Sequence, residues 1–251
     1  MEWSDEAIVL GGRAHGEAAL VLELMTRDHG RHLGLVHGGR SRRLAPALQA
    51  GNGVQATWRA RLDEQLGHFT VEPDRPRAAR LLPSALALHG LATIAHHLRL
   101  LPERDPHPAL YEAASDLLDR LDDPAVAPAS FVRFELLLLA EMGYGLDLAS
   151  CAATGVRSDL RHVSPRSGRA VSGAAGEPYR DRLLPLPTFL RDDGGANTPG
   201  PADVAAGLRL TGFFVGARLY EGLGRPVPDE RARFVAAATA SGRADAGNLP
   251  P

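Results

Sequence analysis

The sequence contains no lysine, because all 28 of its basic residues are arginine. A Walker-type phosphate loop needs a lysine that reaches the β- and γ-phosphates, and Schiff-base catalysis needs a lysine amine. Both chemistries are therefore excluded. Arginine stays protonated and binds phosphate oxygens with a forked guanidinium, so an all-arginine set suits phosphate recognition. High genomic GC content, which favours Arg, Ala, Gly and Pro codons together, is the alternative origin of this bias.

Cysteines, aromatic residues and long apolar runs are also scarce. Cys151 is the single cysteine, so no intramolecular disulfide forms and a reducing compartment fits. No apolar run approaches about 18 residues, and residues 1–10 lack the basic region of a signal peptide. We therefore expect a cytoplasmic protein. Since only 5% of the residues are aromatic, the core must consist largely of Leu, Ala and Val.

The formal net charge of −2 conceals a segregation of charge along the chain. Residues 13–61 carry eight Arg and three acids, a balance of +5, and no acid occurs in residues 30–62. Residues 81–148 have a balance of −6, and residues 149–191 a balance of +4. Such asymmetry indicates a part that binds a polyanion, joined to a part with another role.

The first 75 residues predict five short strands, bounded by turn residues and, in the clearest case, alternating between apolar and polar side chains. That case is the fourth strand, where Val54, Ala56, Trp58, Ala60 and Leu62 share one face. This places Trp58 in the core, with stacking on a nucleobase as the alternative. The predicted strands are 7–10, 20–25, 32–36, 54–62 and 67–72, with a short helix-like insert at 44–49. This layout is typical of a small Greek-key OB barrel.

From Pro83 onward the apolar period changes to about 3.6 residues, which predicts helices. Ser84 is expected to cap the first helix, Pro108 to begin the second and Ser130 to precede a buried third that ends at Gly143. Segments 168–176 and 192–201 read as loops, and two more helices are predicted at 203–222 and 229–240. The fold class is therefore α+β, with an OB barrel at 1–80, a helical domain at 81–240 and a disordered tail at 241–251.

The tract His37–Arg43 (His-Gly-Gly-Arg-Ser-Arg-Arg) is the sharpest local feature. In an OB barrel, the connection that contains it borders the groove where single-stranded nucleic acid usually lies. The tract therefore predicts a phosphate clamp, with a solvated basic loop as the alternative. The expected phosphate contacts are Arg13, Arg31, Arg40, Arg42, Arg43, Arg59 and Arg61.

Motifs for catalysis or metal binding are missing. There is no H-E-x-x-H, G-x-S-x-G or G-x-G-x-x-G. The adjacent His96 and His97 point about 100° apart on a helix, so they do not chelate one metal ion. Cys151 begins a segment like a zinc knuckle, but a structural zinc site needs four Cys or His ligands. We expect no enzymatic activity, no cofactor and no metal.

An ordered set of motifs resembles the RecO recombination mediators of bacteria. The set comprises residues 3–13, His15-Gly-Glu17, the strand that leads into Thr26-x-x-x-Gly30, the turn at 38–40, Trp58-Arg-Ala-Arg61, and residues 145–151, 163–168 and 183–187. The resemblance covers about residues 3–240. It implies an N-terminal OB fold, a helical body and a zinc-ribbon-like insertion at about 149–191. The zinc-ligand positions of relatives fall on Cys151, Thr154, Ser172 and Ala175, so we expect the insertion to hold no metal.

The resemblance also implies a function in DNA repair and homologous recombination. Members bind single- and double-stranded DNA, anneal complementary strands, and with RecR load RecA onto DNA coated by single-stranded-DNA-binding protein, without ATP hydrolysis. The acidic C-terminal tail of that binding protein is expected to dock on the helical body, with Arg133, Arg209 or Arg218 as candidate contacts. The insertion residues Arg157, Arg161, Arg166 and Arg169 would extend the DNA surface, and the protein would associate with the nucleoid.

Two alternatives use the same residues differently. An OB-fold RNA-binding or ribosome-associated module would employ the same arginines, and competition between RNA and single-stranded DNA discriminates it. A hydrolase with a carboxylate pair outside any known motif is the enzymatic alternative.

Overall fold

The computed structural model describes residues 1–62, 64–191 and 199–246, without the side chains of 241–246. Contacts divide the chain into two compact units, Met1–Asp122 and the chain from Asp123 onward. No helix within the described ranges is long and apolar enough to cross a membrane.

Five strands close a barrel in the order β1-β2-β3-β5-β4. All neighbouring pairs are antiparallel except β3 and β5, which close the barrel in parallel. This arrangement confirms the predicted OB fold. The strands are β1 (Glu2–His15), β2 (Ala19–Thr26), β3 (Arg31–Val36), β4 (Gly53–Arg59) and β5 (His68–Arg75).

Strand β1 is much longer than the predicted segment 7–10. Its first half pairs with β4 through Glu2–Ile8, and its second half pairs with β2 through Ala7–His15. The register shifts between Val9 and Gly11, where a bulge bends the strand. The ends of β1 contain Glu, Asp and Gly, which are depleted in strands, and pairing on both sides overrides that preference.

Alternate residues of the strands fill the barrel interior, as the period of two predicts. Trp58 is fully buried, and its indole Nε1 donates a hydrogen bond to the carbonyl oxygen of Leu66 at 3.0 Å. The predicted core role of Trp58 is therefore confirmed. Its neighbours include Leu22, Leu24, Val54 and Phe69.

Two predictions within the barrel were wrong. Strand β4 ends at Arg59 rather than Leu62: its register with β1 ends at the Glu2–Arg59 pair, and beyond it only Ala60 still exchanges backbone hydrogen bonds, with Met1. Leu62 is consequently exposed, and Arg61 lies in the β4–β5 connection. The insert at 44–49 forms consecutive turns without a regular helix, although some of its bonds are of the helical type, such as Leu48 N to Leu44 O at 3.2 Å.

Three helices complete the first unit: α1 (Ala78–Leu81), α2 (Ala85–Leu98) and α3 (Pro108–Asp119). Ser84 caps α2, because its hydroxyl accepts from the Ala87 N–H, and Pro108 is in the first turn of α3, both as predicted. The buried Arg77 donates to Asp119 at 2.6 Å and to the Ser115 hydroxyl at 2.7 Å. These bonds tie α3 to the segment that leaves the barrel. The division of the chain by contacts falls after residue 122. The predicted domain boundary, between the OB barrel and the helical domain at residue 80, stays a prediction.

The second unit contains α4 (Ala127–Glu141), α6 (Pro201–Phe214) and α7 (Asp229–Ala246). Helix α4 is buried through Phe131, Phe134 and Leu138, as its apolar sequence predicts. It begins at Ala127, ahead of the predicted Ser130, since Pro128 fits the first turn of a helix. Helix α6 continues as a π-helical turn, Val215–Tyr220, and a 3-10 turn, Glu221–Leu223, that ends at the left-handed Gly224.

A small insertion lies between α4 and α6. It contains β6 (Leu160–Val163), β7 (Ala170–Ser172) and β8 (Leu184–Pro185) in the order β7-β6-β8, with α5 (Gly173–Gly176) after β7. The predicted loop at 168–176 is therefore largely structured, because β6 pairs with β7 on one side and β8 on the other.

The remaining predictions concern the segments around α6 and α7. The predicted loop at 192–201 lies mostly outside the described residues, and Pro201 already begins α6. Helix α7 continues to Ala246, six residues beyond its predicted end at 240. The rest of the predicted disordered tail, 247–251, lies outside the described residues.

Candidate nucleic-acid interface

The basic tract 37–43 is folded back onto the turn between β1 and β2. Gly38 adopts a left-handed φ of 66°, which allows the chain to reverse directly after β3. The Arg40 N–H then donates to the carbonyl oxygen of Ala18 at 3.3 Å, and its guanidinium donates to that of Glu17 at 2.9 Å. The tract and the β1–β2 turn therefore form one continuous rim of the barrel.

Exposed arginines line this rim and the neighbouring β4–β5 connection. Arg42 and Arg43 project from the tract, and Arg13 lies near the end of β1. Arg61 follows β4. These four side chains and that of Arg40 form no ion pair with any described residue. We call Arg13, Arg40, Arg42, Arg43 and Arg61 the rim arginines.

Arg59, another predicted contact, is neutralised by Glu2. The two residues are direct partners in the β1–β4 register, and Arg59 Nη2 lies 2.7 Å from Glu2 Oε1. The hydrogen bond from Arg59, together with its charge, lowers the pKa of Glu2, and the Glu2 carboxylate raises the pKa of Arg59. Both side chains are well exposed, so a phosphate would compete with Glu2 for this guanidinium.

Arg31, also predicted to contact phosphate, is largely buried in an ion pair. Its side chain is only 13% exposed and lies 2.9 Å from the Glu23 carboxylate. The same carboxylate forms an ion pair with Arg99 at 2.7 Å. The Arg31 guanidinium further donates to the carbonyl oxygen of Leu101 at 3.3 Å. The segment that includes Arg99 and Leu101 thus covers the outer face of β2 and β3, so Arg31 is held by protein groups.

The open surface of the barrel is therefore its rim. In OB folds the outer face of strands 2 and 3, with the connections β1–β2 and β4–β5, is the usual site for oligonucleotides. Here Glu23 of β2 forms ion pairs with Arg99 and with Arg31 at the start of β3, while the two connections and the tract stay exposed.

The insertion offers fewer uncompensated charges than its sequence indicates. Arg161 is paired with Asp159 at 2.5 Å, and Arg169 with Asp147 at 3.0 Å. Arg157 and Arg166 are exposed, and the Arg166 carbonyl oxygen accepts a hydrogen bond from Arg218 at 3.0 Å. Two of the four predicted secondary contacts are thus neutralised locally.

Three of the four zinc-ligand positions converge in the insertion as a hydrogen-bonded cluster. Cys151 is buried, and its Sγ accepts from the Ser172 N–H at 3.2 Å. Burial opposes ionisation, but the hydroxyls of Ser172 and Thr154 and nearby backbone N–H groups outweigh it and lower the pKa of the thiol to about 6. Within the described residues, no group of three or more His, Cys, Asp or Glu side chains is arranged to hold a metal ion.

The residues expected to receive the acidic tail are on different parts of the helical unit. Arg133 of α4 stacks over the Phe189 ring, with 5.1 Å between the guanidinium carbon and the ring centroid. Arg209 is exposed on α6, and Arg218 lies in the π-helical turn beyond it, beside Tyr144. The structure does not bring these three side chains into one described cluster.

Sequence reasoning missed a fully buried ion pair in the second unit. Glu135 of α4 is 0% exposed and binds Arg231 of α7 through both carboxylate oxygens, at 2.7 and 2.8 Å. The Thr211 hydroxyl of α6 also donates to Glu135. A glutamate within an otherwise apolar helix was the available signal, because such a charge requires a buried partner.

Comparison with known proteins gives a consistent result over nearly the whole chain. The family model "Recombination protein O N terminal" matches residues 1–75, and "Recombination protein O C terminal" matches residues 84–225. A DNA repair protein RecO from Methylobacterium nodulans is 62% identical over 243 residues, which cover 96% of this chain and 99% of that relative. Those of Mesorhizobium japonicum and Rhizobium johnstonii are 57% and 55% identical, covering 94% and 95% of this chain and 93% of each relative. The chain therefore belongs to the RecO family of DNA repair proteins.

Proposed function

We propose that the chain binds single- and double-stranded DNA, anneals complementary strands, and with RecR promotes RecA loading onto DNA coated by single-stranded-DNA-binding protein. It acts without ATP hydrolysis or other catalysis of its own. The observation that carries this proposal is the set of rim arginines, which are exposed and free of ion pairs with described residues on an OB barrel.

Annealing requires two polyanions to approach each other. Fixed guanidinium groups replace condensed counterions on the phosphates and reduce the repulsion between strands. Contacts to phosphates carry no sequence information, so base pairing itself selects the complementary strand. The rim arginines supply such contacts, and Arg59 joins them where a phosphate displaces Glu2.

The helical unit is the proposed partner surface. An acidic tail needs a cationic group beside an apolar contact, and Arg133 over Phe189 offers that combination. Arg209 and Arg218 are the alternative contacts. RecR binding is proposed from family membership.

The test removes three rim charges together. We expect Arg40, Arg42 and Arg43 changed jointly to Ala to weaken single-stranded DNA binding and to reduce the slope of log K against log salt by about 2, at about 0.7 per lost phosphate contact. Annealing should slow in parallel. The matched control changes the exposed Arg120, Arg225 and Arg233 to Ala, which removes the same charge elsewhere.

An unchanged salt slope in the rim variant, or an equal loss in the control, would contradict the proposed interface. Annealing of bare and protein-coated DNA, with and without RecR, tests the mediator function directly. Tighter binding to RNA than to single-stranded DNA of equal length would favour the RNA-binding alternative.

A further inference from the structure

Two exposed histidines are stacked on each other in the middle of the basic rim. The rings of His37 and His68 have centroids 4.9 Å apart and planes inclined by 23°. His37 directly precedes the glycine turn of the tract, and His68 is the first residue of β5. Both residues are exposed.

The closure of the barrel creates this stack. β3 and β5 pair in parallel through Leu35 and His68, and the Leu35 N–H donates to the Gly67 carbonyl oxygen at 3.0 Å. His37 follows two residues after Leu35, so the pairing that closes the barrel also brings the two imidazoles together. Their position is fixed by backbone bonds instead of by a flexible loop.

Charged groups flank the stack on both sides. On one side, Arg59 is the direct partner of His68 in the β4–β5 register, and Arg61 lies two residues after Arg59. On the other side, Arg40, Arg42 and Arg43 follow His37 along the tract. A nucleic-acid backbone that contacts these guanidinium groups would pass over the histidine rings.

We propose that the His37–His68 stack binds an unpaired nucleobase of single-stranded DNA, by extending the ring stack with the base while the rim arginines hold the adjacent phosphates. Aromatic platforms between phosphate contacts are the usual way in which single strands are bound without sequence preference, because every base has a π-face. A base inside a duplex is already stacked and has no face to offer. The site would therefore favour single strands over duplexes and hold bases apart for pairing.

This inference rests on the proposed DNA binding, and the experiment separates the two. The probes are a single strand, a duplex and an abasic single strand of equal length, bound by the full chain. We expect the double variant His37→Ala/His68→Ala to lose about 5-fold or more in affinity for the base-bearing single strand, which is the lower end of measured stacking contributions. Affinity for the duplex and the abasic strand should stay unchanged, as should the salt slope.

Two further variants sharpen the result. His37→Phe/His68→Phe keeps aromatic rings without a ring nitrogen and should restore most single-strand affinity. His15→Ala removes another exposed histidine of the barrel, at the end of β1, and should have little effect. Unchanged tryptophan emission would verify the fold, because Trp58 lies directly beneath Gly67.

The stacking site is refuted if the double alanine variant binds the base-bearing strand like the unmodified chain. It is also refuted if affinity falls equally for the abasic strand, or if His15→Ala has the same effect. In these cases the Arg-dependent salt slope still stands, so DNA binding survives without the stack. A chain that binds no DNA at all contradicts the proposed function itself.

Discussion

Glu135→Gln is the most informative single change in the helical unit. The substitution keeps the shape of the side chain but removes the only carboxylate that is described as binding the buried Arg231. Burial opposes the charge of Arg231, whereas the attraction and hydrogen bonds of Glu135 outweigh it and raise its pKa. Without Glu135, the charge of an arginine side chain that is only 10% exposed is left uncompensated.

The expected cost is about 3–5 kcal/mol of unfolding free energy, the range for removing one partner of a buried pair. The structure supports the upper part of this range, because Glu135 is fully buried and also accepts from Thr211. Combining Glu135→Gln with Arg231→Met should cost much less, since no buried charge remains. The double-mutant cycle should therefore show strong coupling.

Arg231→Met tests the opposite case, in which the buried carboxylate loses its cation. It leaves the buried Glu135 carboxylate unpaired, which should raise its folded-state pKa above the unfolded value of about 4.3. A raised carboxyl pKa favours folding at low pH, and this contribution is lost as pH rises through the folded-state value. Relative to the double variant, which has no ionisable group at either position, Arg231→Met should therefore recover stability on acidification, whereas Glu135→Gln should not.

Urea unfolding followed by far-ultraviolet circular dichroism measures these differences. Trp3 and Trp58 both lie in the first unit, so native tryptophan emission checks that the barrel is intact in every variant. A loss below about 1 kcal/mol for Glu135→Gln would refute the reasoning. So would effects that add to within about 0.5 kcal/mol in the cycle, because such additivity is typical of sites that do not interact.

Two further predictions concern a glycine and the cysteine. Gly67→Ala would place a Cβ 2.4 Å from Trp58 Nε1 at a φ of 63°, so we expect a loss of about 2–5 kcal/mol, and only about 1 kcal/mol for Gly16→Ala, which has a φ of 60° and open space. Equal losses in thermal unfolding would exclude the clash with Trp58. Thiolate absorbance of the single cysteine should titrate at about 6 in the folded protein and higher in Thr154→Val, which loses a hydroxyl donor. Because this folded-state pKa is depressed, the thiolate's contribution to stability is present above the unfolded-state pKa and is lost as pH falls through about 6. Identical titrations in both proteins would contradict the role of the Thr154 hydroxyl in lowering the pKa.

Local sequence signals anticipated much of the fold. The alternation in β4 placed Trp58 inward, and Ser84 and Pro108 marked the starts of α2 and α3. These signals depend on neighbouring residues alone. Errors occurred where pairing over long distances decides, as with the full length of β1 and the early end of β4.

The order of residues along the chain sets the chemistry that is available: only arginine as a strong cation, one thiol, and a charge pattern that concentrates basic residues in the barrel. The tertiary structure decided which of those groups are available to a ligand. Arg31 is paired with Glu23 and Arg59 with Glu2, whereas Arg42 and Arg43 stay exposed. The sequence predicted all four equally as phosphate contacts. The physical reason is that an ion pair or ring stack needs partners within a few ångströms, and barrel closure alone brings together residues such as His37 and His68.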